Sequence, residues 1–132
     1  MGAFEVVREV SLPPEEAFAR LTAWERHGEA VPLTTIRRTD TGFVARTAVG
    51  PVGFDDPMDV VHWDPPRSCR IEKRGRVVTG WADLSVEPTA AGSRVVWREE
   101  AHTTGVPRFA ARLEEAAGRA LFGRVLDHLL RT

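Results

Sequence analysis

Tyrosine is absent from the 132-residue sequence, and cysteine occurs once, at Cys69. Without a phenol, the chain lacks one group that could donate a proton to a ligand or anchor it by a hydrogen bond. A lone cysteine forms no internal disulfide and supplies no thiolate cluster, and we interpret Cys69 as a small buried residue. The four histidines include no pair at positions i and i+4, so no metal site is expected. The glycines punctuate turns and form no phosphate loop or dinucleotide fingerprint, so no cofactor is expected.

A strong charge of one sign is also missing, because 18 basic and 19 acidic residues leave a net charge of -1. Nucleic-acid binding needs a concentrated basic face, and we expect none here. There is no apolar run of about 18 residues, hence no expected membrane span, and the charged start does not resemble a signal peptide. The hydrophobic fraction of 42% is enough for a core. The sequence predicts one cytoplasmic domain over residues 1–132 and leaves the oligomeric state open, a homodimer included.

Alternation of apolar and polar residues predicts a first strand over residues 4–12. Two short helices are expected next, one after Pro13-Pro14 and one from Trp24 to Ala30. From Leu33 to His102, turn residues separate stretches with β character. Their close spacing predicts hairpins and therefore an antiparallel sheet of seven strands. The six later strands are predicted near residues 33–39, 43–49, 54–63, 68–74, 76–87 and 93–102.

The C-terminal region changes to a helical period. Its apolar residues recur every four positions, which predicts an amphipathic helix of about 25 residues. A sheet with one apolar face and a long apolar helix bury each other when the sheet wraps around the helix, which is an α+β architecture. The apolar stripe consists of Phe109, Leu113, Ala117, Leu121, Val125 and Leu129.

Three segments carry a resemblance to a known family: Ser11–Phe18 (SLPPEEAF), Trp63–Arg67 (WDPPR) and Val86–Glu99 (VEPTAAGSRVVWRE). With the long helix that follows, they resemble the polyketide cyclase/dehydrase-like branch of the START-like (SRPBCC) superfamily. The resemblance covers nearly the whole chain and implies a helix-grip fold with an apolar cavity between the sheet and the C-terminal helix. Relatives bind lipids, sterols, polyketides or other apolar molecules, and some are cyclases or dehydratases. Fold alone does not decide among these functions.

Polar residues in phase with apolar ones are the candidate functional groups. Arg8 shares the face of Phe4 and Val6 on the first strand, and Glu99 is in phase with Trp97 on the last. The family topology makes these strands neighbours, so Arg8 and Glu99 either meet at the cavity as an ion pair, or Arg8 reaches solvent at the strand end. Phase alone leaves open whether Glu99 points inward.

His62 is a second candidate, because it follows Met58 and Val60 in phase and would titrate near neutral pH. The adjacent Trp63 has the opposite phase, and the sequence leaves open which of the two faces inward. The alternative for His62 is a place at the rim of the sheet.

Three hypotheses follow. In the first, the cavity binds a small apolar or aromatic molecule, with Arg8 and Glu99 as polar contacts. In the second, the chain is a cyclase or dehydratase in which His62 or Glu99 moves a proton. In the third, the core is filled and an exposed face binds a protein. For the first hypothesis, the predicted walls are Phe109, Leu113 and Ala117 on the helix and Met58, Val60 and Trp97 on the sheet.

Overall fold

The computed structural model describes residues 3–131. Seven strands and three α-helices follow one another in the predicted order, and a short 3-10 turn at Arg108–Ala110 precedes the last helix. The elements are β1 (Ala3–Val10), α1 (Pro14–Leu21), α2 (Trp24–Ala30), β2 (Thr34–Arg38), β3 (Gly42–Val49), β4 (Val52–Asp64), β5 (Ser68–Arg74), β6 (Val78–Thr89), β7 (Gly92–Thr103) and α3 (Ala111–Leu129).

The strands form one antiparallel sheet in the order β1-β7-β6-β5-β4-β3-β2. The first and last strands are neighbours, and the sheet curls around α3. This arrangement confirms the predicted α+β helix-grip fold with seven antiparallel strands, a long C-terminal helix and two short helices between the first two strands. The helix α3 has 19 residues and is shorter than the 25 expected, because the chain before Ala111 forms the 3-10 turn.

Local sequence explains the helix boundaries. Pro14 lies in the first turn of α1, where its missing N–H leaves no hydrogen bond unmade, and Glu15 and Glu16 favour the positive end of the helix dipole. Pro32 follows α2 and prevents its continuation.

A β-bulge in β4 changes which side chains face inward. Val60 lies opposite Ile71 of β5, but His62 lies opposite Arg70, so Val61 is an extra residue in the ladder. Beyond the bulge the inward phase therefore passes to Trp63, which lies opposite the buried Cys69.

The core lies where the C-terminal half of α3 meets the sheet and α1. Leu126 and Leu129 of α3 are completely buried, as are Leu21 of α1, Leu84 of β6 and Val95 of β7. The N-terminal half of α3 stands farther from the sheet and leaves a space between them.

Candidate functional site

A cavity of about 320 Å³ lies between the sheet and the N-terminal half of α3. Its volume is at the lower end of the range found for small-molecule pockets. Most of the wall is apolar, and much of it is aromatic. The main apolar side chains are Phe4, Phe43, Phe54, Trp97, Leu121 and Phe122.

Three stacked rings hold α3 over one side of the cavity. Phe122 of α3 stacks on Trp97 at 4.9 Å between ring centroids and on Phe4 at 6.0 Å. Gly118, one turn earlier, allows the close approach, because a Cβ there would lie 2.6 Å from the Phe4 ring. Aromatic pairs at these separations contribute to stability beyond the area they bury.

One polar cluster in the cavity wall consists of Asp56, Lys73 and Glu99, which come from β4, β5 and β7. Glu114 and Glu115 of α3 line the cavity from the side of the helix. Lys73 lies opposite Gly80 of β6, and Glu99 lies opposite Ala82 of the same strand. Since β6 carries only small residues at these two positions, the long side chains from its two neighbours share the space above it. Gly80 is required there, because its φ is +139° and a Cβ would collide with the backbone carbonyl of Glu100.

Lys73 and Asp56 form a buried ion pair, with 3.0 Å between Nζ and Oδ2. The Lys73 Nζ also lies 3.6 Å from the Met58 sulfur. The other carboxylate oxygen, Asp56 Oδ1, is buried and accepts no hydrogen bond from residues 3–131. The two charges therefore depend on each other, and removing either one alone would leave the other uncompensated in a low-dielectric site.

Glu99 is 2% exposed, and its Oε1 accepts a hydrogen bond of 3.0 Å from the indole N–H of Trp97. Burial raises the pKa of the Glu99 carboxyl above its ordinary value, because the ionised form would lose its hydration; the Lys73 ammonium and the Trp97 N–H oppose that shift. The cavity thus holds a carboxyl that stays protonated to higher pH than an exposed glutamate does, which is a property of general acids.

His27 of α2 also lines the cavity, packed between the rings of Trp24 and Trp97. Its Nε2 donates a hydrogen bond of 2.8 Å to the carbonyl of Leu21, which identifies the tautomer. Burial lowers the pKa of His27 to about 4. The ring is neutral at ordinary pH and belongs to the cavity wall as an uncharged group.

Among the residues expected at the site, Met58, Trp97, Glu99 and Ala117 line the cavity. Val60 packs against the core instead of lining the cavity. The sequence left open which face of β7 carries Glu99, and in the structure Glu99 points inward, to the cavity. The binding role of these side chains stays a prediction.

The predicted meeting of Arg8 and Glu99 is wrong. Arg8 lies opposite Val95 on β7, and Phe4 is the residue opposite Glu99. The Arg8 guanidinium instead pairs with Asp127 of α3, with 2.6 Å between Nε and Oδ1. Arg8 therefore closes the packed end of the fold at partial exposure, which agrees with the alternative that it reaches solvent.

His62 does not face the cavity. The bulge at Val61 turns it to the outer face, where it is exposed and its Nε2 lies 3.3 Å from the Ser68 hydroxyl. Trp63 takes the inward phase but lies beyond the cavity, where its ring contacts Phe18 edge-on.

Phe109 and Leu113 do not form the expected wall either, since they are 91% and 73% exposed. Phe109 belongs to the 3-10 turn, so it precedes the α-helical repeat that the stripe assumed. The inward face of α3 at this level carries Glu114, Ala117 and Gly118 instead.

Lys73, Asp56 and His27 are the site residues that sequence reasoning missed. A signal was present for two of them. Lys73 is in phase with the buried Cys69 and Ile71, and Asp56 is in phase with Met58. Two paired strands each carry one charged residue on their apolar face, and this pattern predicts an ion pair between the two.

Over residues 3–131, no group of three or more histidine, cysteine, aspartate or glutamate side chains is placed to hold a metal ion. Among the described helices, none combines the length and the hydropathy that crossing a membrane requires.

Solved structures with the same architecture are numerous. XoxI from Bacillus cereus superposes with a TM-score of 0.75 at 15% identity, over 99% of this chain and 94% of its own. Mll3558 from Rhizobium loti gives 0.74 at 17% identity, over 98% and 96%. CV1439 from Chromobacterium violaceum gives 0.73 at 12% identity, also over 98% and 96%. At such identities the likeness establishes the fold alone.

A comparison with curated protein sequences gives no match. The profile of one protein family, by contrast, matches residues 1–132. That match agrees with the helix-grip architecture and with the suspected superfamily, and it supports a ligand-binding fold without specifying a ligand or an activity. The chain belongs to the family described as polyketide cyclase / dehydrase and lipid transport.

Proposed function

We propose that this protein binds a small hydrophobic or aromatic molecule, lipid- or polyketide-like, in the cavity between the sheet and α3. The observation that carries the proposal is a space of about 320 Å³ with mainly apolar walls and a few polar side chains. Apolar and aromatic walls with a few placed polar groups are typical of ligand sites. An apolar ligand would restore the van der Waals contacts that the lining side chains lack across the space.

A second candidate function is a cyclase or dehydratase in which Glu99 moves a proton. The specific observation in its favour is the buried Glu99 carboxyl with a raised pKa, in a cavity that also holds an ammonium group. These are the properties of a general acid beside an electrostatic stabiliser. His62 is excluded from this role by its place on the outer face.

The filled-core hypothesis requires side chains to occupy the space between the sheet and α3. That space is open beside the N-terminal half of α3, which does not favour this hypothesis. The exposed Phe109 and Leu113 at the start of α3 do not decide between the other two hypotheses.

A cavity-filling variant tests the proposal. Ala101 lies on β7 in the cavity wall, so Ala101→Phe places a ring inside the space. We expect this variant to fold and to bind the neutral probe N-phenylnaphthylamine at least about tenfold more weakly than the unsubstituted protein. The matched control is Leu113→Phe, which adds a ring on the exposed side of α3 and should leave probe affinity unchanged. Equal affinity in the folded Ala101→Phe variant would overturn the proposal.

Native mass spectrometry of protein purified from its source, followed by denaturing extraction, identifies the ligand class. We expect a stoichiometric apolar passenger that is released on denaturation. Incubation of the complex then separates the two candidate functions, because an enzyme changes the mass of the passenger and a binding protein returns it intact.

A further inference from the structure

Lys73 has one hydrogen-bond donor that the protein does not use. An ammonium group carries three N–H bonds. Over residues 3–131, its only acceptors are Asp56 Oδ2 at 3.0 Å and the Met58 sulfur at 3.6 Å. The side chain is 6% exposed and lines the cavity. The third N–H is therefore available to a ligand inside the cavity.

Glu99 supplies a second donor when its carboxyl is protonated. Its Oε1 accepts the indole N–H of Trp97, and no described residue hydrogen-bonds Oε2. In the protonated carboxyl, the acidic hydrogen consequently lies on Oε2, since Oε1 is the acceptor. Burial raises the pKa of this carboxyl, so the protonated form persists to higher pH than in an exposed glutamate.

Both donors lie on the same wall. Lys73 and Glu99 flank β6 at Gly80 and Ala82, where no large side chain separates them. Both side chains line the same cavity. Two donors that flank one open space match a single acceptor atom with two lone pairs, which is the hydrogen-bonding pattern of a carbonyl oxygen.

The charges of the cavity wall disfavour an anionic ligand. The positive charge of Lys73 is already paired with Asp56, and Glu114 and Glu115 of α3 add carboxyl groups to the lining. An anionic ligand would bring an uncompensated charge into a mainly apolar cavity, which is unfavourable. A neutral carbonyl compound adds an acceptor without adding a charge.

We infer that the cavity selects a neutral apolar or aromatic carbonyl compound, whose oxygen accepts hydrogen bonds from Lys73 Nζ and Glu99 Oε2. This inference rests on the proposed function, because it specifies which member of the apolar ligand class the cavity prefers.

Three probes of matched shape test the inference: acetylnaphthalene, isopropenylnaphthalene and naphthoate. Acetylnaphthalene carries a carbonyl oxygen where isopropenylnaphthalene carries a methylene group, and naphthoate carries a carboxylate. With two hydrogen bonds replacing those made to water, we expect titration calorimetry to give acetylnaphthalene at least about tenfold higher affinity than isopropenylnaphthalene. Naphthoate should bind more weakly than acetylnaphthalene.

Each contrary result has its own meaning. Equal affinities for the carbonyl and methylene probes would overturn the inference and leave the proposed apolar binding intact. Tighter binding of naphthoate would overturn it in favour of an anion site. Failure of all three probes to bind would count against the proposed function itself.

Variants assign the selectivity to the two donors. Glu99→Gln keeps an N–H donor and should retain the carbonyl preference, whereas Glu99→Leu should lose most of it. The double variant Lys73→Met/Asp56→Asn removes both charges together and should also reduce the preference to within about threefold. In each variant, binding of isopropenylnaphthalene verifies that the cavity is intact.

The matched control is Arg70→Met/Asp83→Asn. It removes a cation–carboxylate pair of 2.9 Å between Arg70 of β5, the strand that carries Lys73, and Asp83 of β6, on the opposite face of the sheet. The control should keep the full carbonyl preference. Loss of the preference in the control as well would assign the effect to the sheet rather than to the cavity groups.

Discussion

The two halves of α3 differ in what they touch. In the C-terminal half, Val125, Leu126 and Leu129 are completely buried against the sheet and α1. In the N-terminal half, Leu113 is 73% exposed, and the inward face borders the cavity. One helix therefore contributes packed core at one end and the wall of the cavity at the other.

This difference separates stability from binding. Buried leucine side chains contribute free energy of unfolding through removed surface and close contacts. A side chain that borders an open space has fewer contacts and contributes less. Substitutions in the two halves should accordingly affect different measurements.

The largest expected effect is on the packed half. Leu126→Ala should lower the free energy of unfolding by roughly 3–4 kcal/mol, because the lost side chain leaves a void that its neighbours fill only partly. Urea denaturation measures the loss. Probe affinity, measured on the fraction that remains folded, should change little. A loss below about 1 kcal/mol would mean that the packed half rearranges around the missing side chain.

His27 of α2 lines the cavity and should make stability depend on pH. Its pKa is about 4 in the folded chain against an ordinary value of 6.5. The unfolded state therefore takes up the proton first as the pH falls, so this contribution is complete above pH 6.5 and is lost toward pH 4. The shift corresponds to about 3 kcal/mol.

His27→Gln removes the titrating ring and keeps an N–H for the Leu21 carbonyl. Urea denaturation at pH 7 and near pH 4 should show a smaller acid-induced loss in this variant than in the unsubstituted protein. Glu99 acts in the opposite sense, since its raised pKa disfavours folding as the pH rises, and it is present in both proteins. His62→Gln, on the outer face, is the control and should leave the acid-induced loss unchanged. Equal losses in all three proteins would contradict the buried, neutral state of His27.

The smallest effect is expected at the exposed start of α3. Phe109→Ser and Leu113→Ser should each change the free energy of unfolding by less than about 0.5 kcal/mol, because little of either side chain is buried. Thermal unfolding monitored by circular dichroism measures this. A loss comparable to that of Leu126→Ala would mean that these side chains are covered in solution.

The sequence was sufficient for the fold because the alternation of β1 and the four-residue stripe of α3 each depend on local geometry alone. The stripe identifies which side of a helix faces a sheet but carries no information on the distance between them. Leu113 and Leu129 thus look equivalent in sequence, although one is exposed and the other buried. The distance depends on how strongly the whole sheet curls.

The site was less predictable because it depends on register. Arg8 and Glu99 lie on adjacent strands, but their pairing with Val95 and Phe4 places them at different levels of the sheet. One extra residue, Val61, was enough to turn His62 to the outer face. Cross-strand register and bulges depend on how strands pair, and the alternation of apolar and polar residues along one strand does not determine them.

The position of Lys73 in the cavity wall also has a consequence for chemical labelling. It is the only lysine in a chain with 18 basic residues, the others being arginines. Since its Nζ borders the cavity, an amine-acylating reagent can modify a side chain of this protein only from inside the cavity. Acylation at Lys73, located by peptide mass mapping, would then report whether the cavity is open or occupied.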